Sequence, residues 1–283
     1  MPDYNDERLT ITQGALLSTV TVSAGLAPVR SKPRFDSEMV TQALYGETLG
    51  IYERVGEFGL AQLHRDRYVG WILLADLART DSKPTHRISA LQSHAYAKAD
   101  LKSSMRIQLP MGARVRVIQF VDGFAEIDGG LWVPHQHIVP LEHLETDPAE
   151  VAARFVGTPY LWGGCDSKGI DCTGLTRAAF DACGVSLPRD SDMQFAWSGI
   201  PIADWKAAGA LQRNDLIFWK GHVGIMLDDS TVLHSNAYHM TVEAEPLSGA
   251  IQRIAKQYGE PIGARRISVY SDRLQVPGWL SAA

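Results

Sequence analysis

GIDCTGLTRAAFDACGV, residues 169–185, sets a cysteine between an aspartate and a threonine, immediately ahead of a run with helical periodicity. Asp171 stands where an N-cap belongs, and Leu175, Ala178, Ala179 and Ala182 recur on one apolar face. Cys183 and Gly184 close the segment with a good helix stop. Cys172 is therefore expected in the first turn of a buried helix. Unpaired amides and the helix dipole favour an anion there, which predicts a thiol pKa lowered from about 8.5 towards neutrality. The ordinary reading of a buried cysteine is a small hydrophobe, and Cys183 takes it. Cys165 reads as a loop residue.

A thiol nucleophile needs a base. NDLIFWKGHVGIMLDDSTVLHSNAYH, residues 214–239, offers two histidines on an expected β-hairpin, with HVGIML and TVLHSN as strands and DDS as the turn. If an odd number of residues separates the paired strand ends, the period of two puts His222 and His234 on one face, opposite or diagonal. One ring can then orient the other. The remaining seven of nine histidines read as structural or surface residues.

Composition sets the outer limits. With 283 residues, 45% hydrophobic and 21% charged, the chain is long enough for two or three cores. A net charge of −5, with Lys and Arg scattered, excludes the basic footprint of a nucleic-acid binder. The opening residues carry Asp3, Asp6 and Glu7 against Arg8 and break any apolar run with hydroxyl residues, so they read as mature protein and not as an export signal. No run of about 18 apolar residues suggests a membrane span. Three cysteines make no disulfide framework, and reduced thiols in the cytoplasm are expected.

The first half reads as short strands and the second as helix followed by strands, with a boundary near residues 141–148. Residues 45–77 are echoed by residues 111–141 at an offset of about 66, each copy carrying a Gly, alternating strand residues, a turn, and then Trp71 or Trp132. Two small β-barrels follow from this. They resemble bacterial SH3-like domains across about residues 22–143. The expected organisation is a first SH3-like barrel with an N-terminal extension over 1–80, a second over 81–143, and a catalytic domain over 144–283.

PYLWGGCDSKGIDCTGLTRAAF, LPRDSDMQ, NDLIFW and HVGIML followed by the LH pair occur in that order from residue 159 onward. Together they resemble the NlpC/P60 cysteine peptidases of bacterial cell-wall metabolism across about residues 149–270. The resemblance implies an α+β, papain-like domain in which Cys172 is the nucleophile and His222 the general base and acid. It makes His234 the polar third member that fixes the His222 tautomer. It also has the Tyr160 hydroxyl assist the oxyanion beside the Cys172 amide. Two positions depart from the family pattern. Thr173 replaces the usual Ser but keeps a hydroxyl, and Asn214 replaces a turn Gly but tolerates positive φ.

TQALYGE and DRYVGW, with two SH3-like modules and no export signal, further resemble the branch that cleaves γ-D-glutamyl-diamino acid bonds in free murein peptides beginning with L-Ala. That resemblance implies that Glu47 and Asp171 supply charge for a free amino terminus, and that Tyr68 blocks longer extensions. Ser191 would bind a substrate carboxylate or backbone group, with Thr173 beside the nucleophile. Read without it, Glu47 is a solvated turn acid, Tyr68 a barrel-surface aromatic and Asp171 a plain N-cap. No cofactor, metal, nucleic acid or membrane is expected, and a monomer is. Four alternatives stay open: a general peptidoglycan endopeptidase, a papain-like acyltransferase, a zinc hydrolase using Cys172, His222 and His234, and a non-catalytic wall binder. The zinc reading lacks the closely paired ligands of a His-Glu-x-x-His helix.

Overall fold

In a computed structural model, residues 3–12, 14–79 and 82–281 are described. They form two compact units, residues 5–143 and residues 144–281, the latter with Asp3 and Tyr4.

The first unit contains β1 (Ser18–Val22), β2 (Leu26–Arg30), β3 (Met39–Leu44), β4 (Thr48–Val55), β5 (Phe58–Leu63), β6 (Val69–Leu73) and β7 (Leu77–Ala78). These pair in the order β3-β2-β6-β5-β4-β1-β7, and every pairing is antiparallel. Then come β8 (His86–Ile88), β9 (Gln92–Tyr96), β10 (Met105–Pro110), β11 (Arg114–Val115), β12 (Val117–Val121), β13 (Phe124–Ile127), β14 (Leu131–Pro134) and β15 (Ile138–Pro140). Their orders are β10-β9-β14-β13-β12 and β11-β8-β15. The sequence repeat is thus a repeat of topology. The counterpart of β4 is broken at Arg116 into β11 and β12, so one seven-stranded sheet becomes a five and a three. Gly46 and Gly112 occupy equivalent turns at φ 80° and 87°, a region that glycine enters at little cost. Each half closes over its own apolar residues, Leu49, Ile51 and Ile72 in the first, Ala95, Leu109 and Val133 in the second.

The second unit opens with α1 (Pro148–Ala153), capped by Asp147, whose Oδ1 accepts from the amides of Ala149 and Glu150, with Pro148 at the first helical position. Two short strands, β16 (Cys165–Asp166) and β17 (Gly169–Ile170), lead into α2 (Cys172–Ala182), and α3 (Ser191–Trp197) follows. The sheet comprises β18 (Ile200–Pro201), β19 (Leu216–Trp219), β20 (His222–Met226), β21 (Thr231–Asn236), β22 (Thr241–Pro246) and β23 (Gly263–Arg266). Its order is β18-β23-β19-β20-β21-β22. Helix α4 (Leu247–Tyr258) lays Leu247, Ala250 and Ile254 on Ile217, Trp219, Met226 and Val232. Helix α2 packs on α1, β20 and β21. Asn214, on the turn before β19, adopts φ 77° and accepts from the Ala149 amide at 2.7 Å, so the polar turn residue also ties down α1.

Candidate active site

Cys172 is the first residue of α2, and Asp171 is its N-cap. The Asp171 Oδ1 accepts from the Gly174 amide at 2.7 Å and from the Thr173 hydroxyl at 3.0 Å, while Oδ2 accepts from the Gly163 amide at 2.9 Å. The helix is buried more widely than its apolar stripe foretold. Leu175, Ala179 and Phe180 are enclosed, and so are Thr173, Thr176 and Arg177, whereas Ala178 and Ala182 are half-buried. Cys183 is a fully buried small residue. Cys165 lies on strand β16 with its Sγ donating to the Gly163 carbonyl, so it is a buried strand residue and not the loop residue expected.

The backbone amides of Val223 and Thr173 are close enough to the Cys172 thiol to favour its thiolate form. Val223 follows His222 on β20, and α2 packs on that strand. Sequence position alone predicts a lowered thiol pKa, but the structure reverses it: burial, with the Asp171 carboxylate adding to it, pushes the thiol up to about 12. The magnitudes explain the outcome. A helix terminus contributes about 0.3–1 kcal/mol to an anion, less than one pKa unit, whereas burial moves a group by up to several units.

The hairpin has the parity that the two histidines require. Met226 pairs with Val232, leaving residues 227–231 between them, an odd number. Gly224 therefore opposes His234 and His222 lies diagonally across the ladder, with its Nε2 2.8 Å from His234 Nδ1. Beyond His234 the chain of contacts continues. His234 Nε2 lies 2.8 Å from Glu245 Oε1 on β22, again diagonally, since His234 pairs with Glu243. Arg253 Nη2, from α4, donates to the same Glu245 oxygen and its guanidinium lies 4.4 Å from the Tyr238 ring centroid.

Proton positions in this relay follow from the one group that can only accept. Burial disfavours the Glu245 carboxylate, but the hydrogen bond from His234 and the Arg253 guanidinium outweigh it and hold its pKa below the usual range. An ionised carboxylate has no proton to give, so His234 Nε2 donates. His234 Nδ1 then accepts from His222 Nε2, which leaves a lone pair on His222 Nδ1. Both rings stay neutral: burial lowers the pKa of His234, and burial first, with the adjoining His234 ring and the Arg253 guanidinium adding to it, lowers that of His222 to about 3.

Tyr160 bridges to Ile170 beside β17, and its amide donates to the Met240 carbonyl at 3.0 Å. Burial first, and the neighbouring Cys172 second, raise its hydroxyl pKa, so the phenol keeps its proton as a donor. Sequence reasoning missed Arg189. It is 1% exposed and grips Asp171 twice, with Nη2 2.5 Å from Oδ2 and Nη1 3.2 Å from Oδ1, while also donating to the Thr173 hydroxyl. Ser191 starts α3 and is buried.

Glu47 and Tyr68 belong to the first unit. Glu47 is 4% exposed, with Oε2 accepting from the Leu44 amide and Oε1 from Arg65 Nη1 at 2.5 Å, so it is not the solvated acid of the plain reading. Tyr68 is likewise buried and not a surface aromatic.

Residues 157–258 match the NlpC/P60 family, and residues 29–77 match the bacterial dipeptidyl-peptidase SH3 domain. The chain is 28% identical over 246 residues to the gamma-D-glutamyl-L-lysine dipeptidyl-peptidase of Bacillus subtilis, covering 76% of this chain and 78% of that one. It is 25% identical over 264 residues to the protein of the same name from Bacillus cereus, covering 81% and 75%. In fold it is similar to the crystal structure of an NlpC/P60 family protein from Bacillus cereus, with a TM-score of 0.74 at 21% identity over 88% of this chain and 99% of that one.

Proposed function

We propose that this chain, which carries an NlpC/P60 domain and a bacterial dipeptidyl-peptidase SH3 domain, is a cysteine peptidase acting on peptidoglycan-derived peptides. The observation that carries this reading is the buried Cys172 thiol at the start of α2, near the amide that follows His222, with a His-His-Glu relay behind that imidazole.

In the proposed reaction Cys172 Sγ attacks the scissile carbonyl carbon as its proton passes to His222 Nδ1. The resting pair is uncharged thiol and neutral imidazole, so proton transfer accompanies attack. The oxyanion is met by the Cys172 amide, unpaired at the first position of the helix, and by the protonated Tyr160 hydroxyl. His222 returns the proton to the leaving amine, and water, deprotonated by the same nitrogen, releases the acyl group from the thioester. Arg189 neutralises Asp171, which caps the helix and orients Thr173.

The substrate we infer is a murein peptide with a free amino-terminal L-Ala, cut at the γ-D-glutamyl-diamino acid bond, as in peptide recycling. The names of the two Bacillus relatives support the γ-D-glutamyl bond. Selection of the free amino terminus is assigned to Glu47 and Tyr68 on the family resemblance. The test is to incubate the protein with L-Ala-γ-D-Glu-meso-diaminopimelate, with its L-Lys counterpart and with their N-acetylated forms, and to identify products by mass. Release of L-Ala-D-Glu from the free peptides is expected. Equal kcat/KM on free and acetylated peptides would replace this reading with a general wall endopeptidase. Glu47→Gln should narrow the preference for free peptides, and Tyr68→Ala should admit longer extensions.

A further inference from the structure

His239 lies on the turn after β21 and has no part in the reaction above. One donor atom from each of His234, His239 and Glu245 lies within 4.8 Å of the other two. Two imidazoles and one carboxylate make up the protein ligands of some open three-ligand zinc sites, with bonds of about 2.0–2.2 Å. Both rings already have their other nitrogen engaged. His239 Nδ1 lies 3.1 Å from Asn236 Oδ1, and His234 Nδ1 lies 2.8 Å from His222 Nε2. Hydrogen bonds of this kind orient a metal-binding imidazole and set its tautomer, leaving Nε2 of each ring as the donor.

We propose that His234, His239 and Glu245 bind a zinc-class divalent cation, and that its binding switches off the peptidase proposed above, on which this regulatory part rests. The switch follows from where the protons sit. With Glu245 as acceptor, His234 donates from Nε2 and the lone pair at the far end of the relay is on His222 Nδ1. A cation on His234 Nε2 binds through the electron pair of the N–H bond there and displaces its proton. His234 Nδ1 then carries the proton formerly on His222 Nε2, and His222 takes one up at Nδ1. The relay loses no proton in total, yet its base no longer has a free electron pair towards the thiol. Arg253 opposes the cation, because it shares the Glu245 oxygen. Its stacking on Tyr238 gives the guanidinium a second anchor when the carboxylate turns to the metal.

The test uses zinc chloride with the full-length protein in a non-thiol reductant. Zinc is expected to lower kcat with little change in KM, and EDTA to restore it. His239→Ala should keep the basal kcat/KM and raise the zinc concentration for half-inhibition by at least roughly 100-fold, since loss of a direct ligand costs more than loss of an outer-shell partner. Calorimetry on Cys172→Ala should find one zinc bound, and on Cys172→Ala/His239→Ala none at the same concentrations. That measurement decides the site even if no murein peptide is cleaved. Equal zinc sensitivity with and without His239, or no zinc bound by Cys172→Ala, would overturn the proposal and leave any inhibition to Cys172 and His222.

Discussion

Glu245 Oε1 lies 2.8 Å from His234 Nε2, and this contact fixes the direction of every proton between the end of the relay and the thiol. Glu245→Gln keeps the shape but removes the charge and the acceptor-only character of the carboxylate, so the His234 tautomer is no longer fixed from this end. The expected result is a fall in kcat of about 10- to 100-fold with KM little changed, less than the roughly 100- to 10,000-fold that a general base itself contributes, because Glu245 acts through His234. Glu245→Asp, which can still only accept, should recover part of it. A loss that appeared in KM or in the thermal midpoint, with kcat intact, would mean that the carboxylate only holds β22 in place.

Reactivity separates the three cysteines. Cys172→Ala and Cys172→Ser should abolish turnover, while Cys165→Ala and Cys183→Ala should retain it. The thiol pushed up to about 12 also dictates how the free enzyme meets iodoacetamide. Only the thiolate reacts, so the inactivation rate should climb about tenfold per pH unit from pH 7 to 10 without levelling. A plateau near neutral pH would show that a thiolate-imidazolium pair forms before substrate arrives.

Much of this site was legible in the sequence because local rules governed it. Asp171 before Cys172 and the apolar spacing behind them placed the helix start, and the period of two placed His222 beside His234. The repeat at Gly46 and Gly112 carried the strand order of the first unit. What escaped was set by tertiary packing. The thiol's pKa depends on how deeply α2 is enclosed, which an apolar stripe does not reveal. Arg189 reads as a surface cation until Asp171 is seen to receive it. Glu245 left one faint mark, the alternation TVEAEP at 241–246, which puts Glu243 and Glu245 on the face shared with His234. Arg253 left none, since its role arises from where α4 lands.

The Asp171–Arg189 pair predicts a stability effect distinct from chemistry. Both side chains are almost wholly enclosed, so removing one leaves a buried charge without its partner. Asp171→Ala should cost about 3–5 kcal/mol in urea unfolding, the range for breaking a buried pair from one side. Part of that is the lost cap, worth about 1 kcal/mol. Asp171→Ala/Arg189→Met should regain some of the loss, because no charge is then stranded. Equal destabilisation by the single and double variants would show that the cap and not the ion pair carries the effect.

The depressed His222 pKa predicts how stability changes with acid. Its imidazole titrates near 3 in the folded protein and near 6.5 unfolded, because burial, with the adjoining His234 ring and the Arg253 guanidinium adding to it, disfavours the cation. Between those values the unfolded chain holds a proton that the folded chain does not. Unfolding therefore takes up protons, and stability falls as the pH drops from 6.5 towards 3. Cys172 works in the opposite range. Its thiol is held protonated up to about 12 against 9 when unfolded, so the folded chain binds the extra proton and stability falls as pH rises through 9 to 12. Urea unfolding at half-unit intervals should show His222→Gln losing less stability than the wild type below pH 6.5, and Cys172→Ala losing less above pH 9. Parallel curves for wild type and His222→Gln on the acid side would mean that the folded imidazole titrates where the unfolded one does, and that burial does not hold the relay's base neutral.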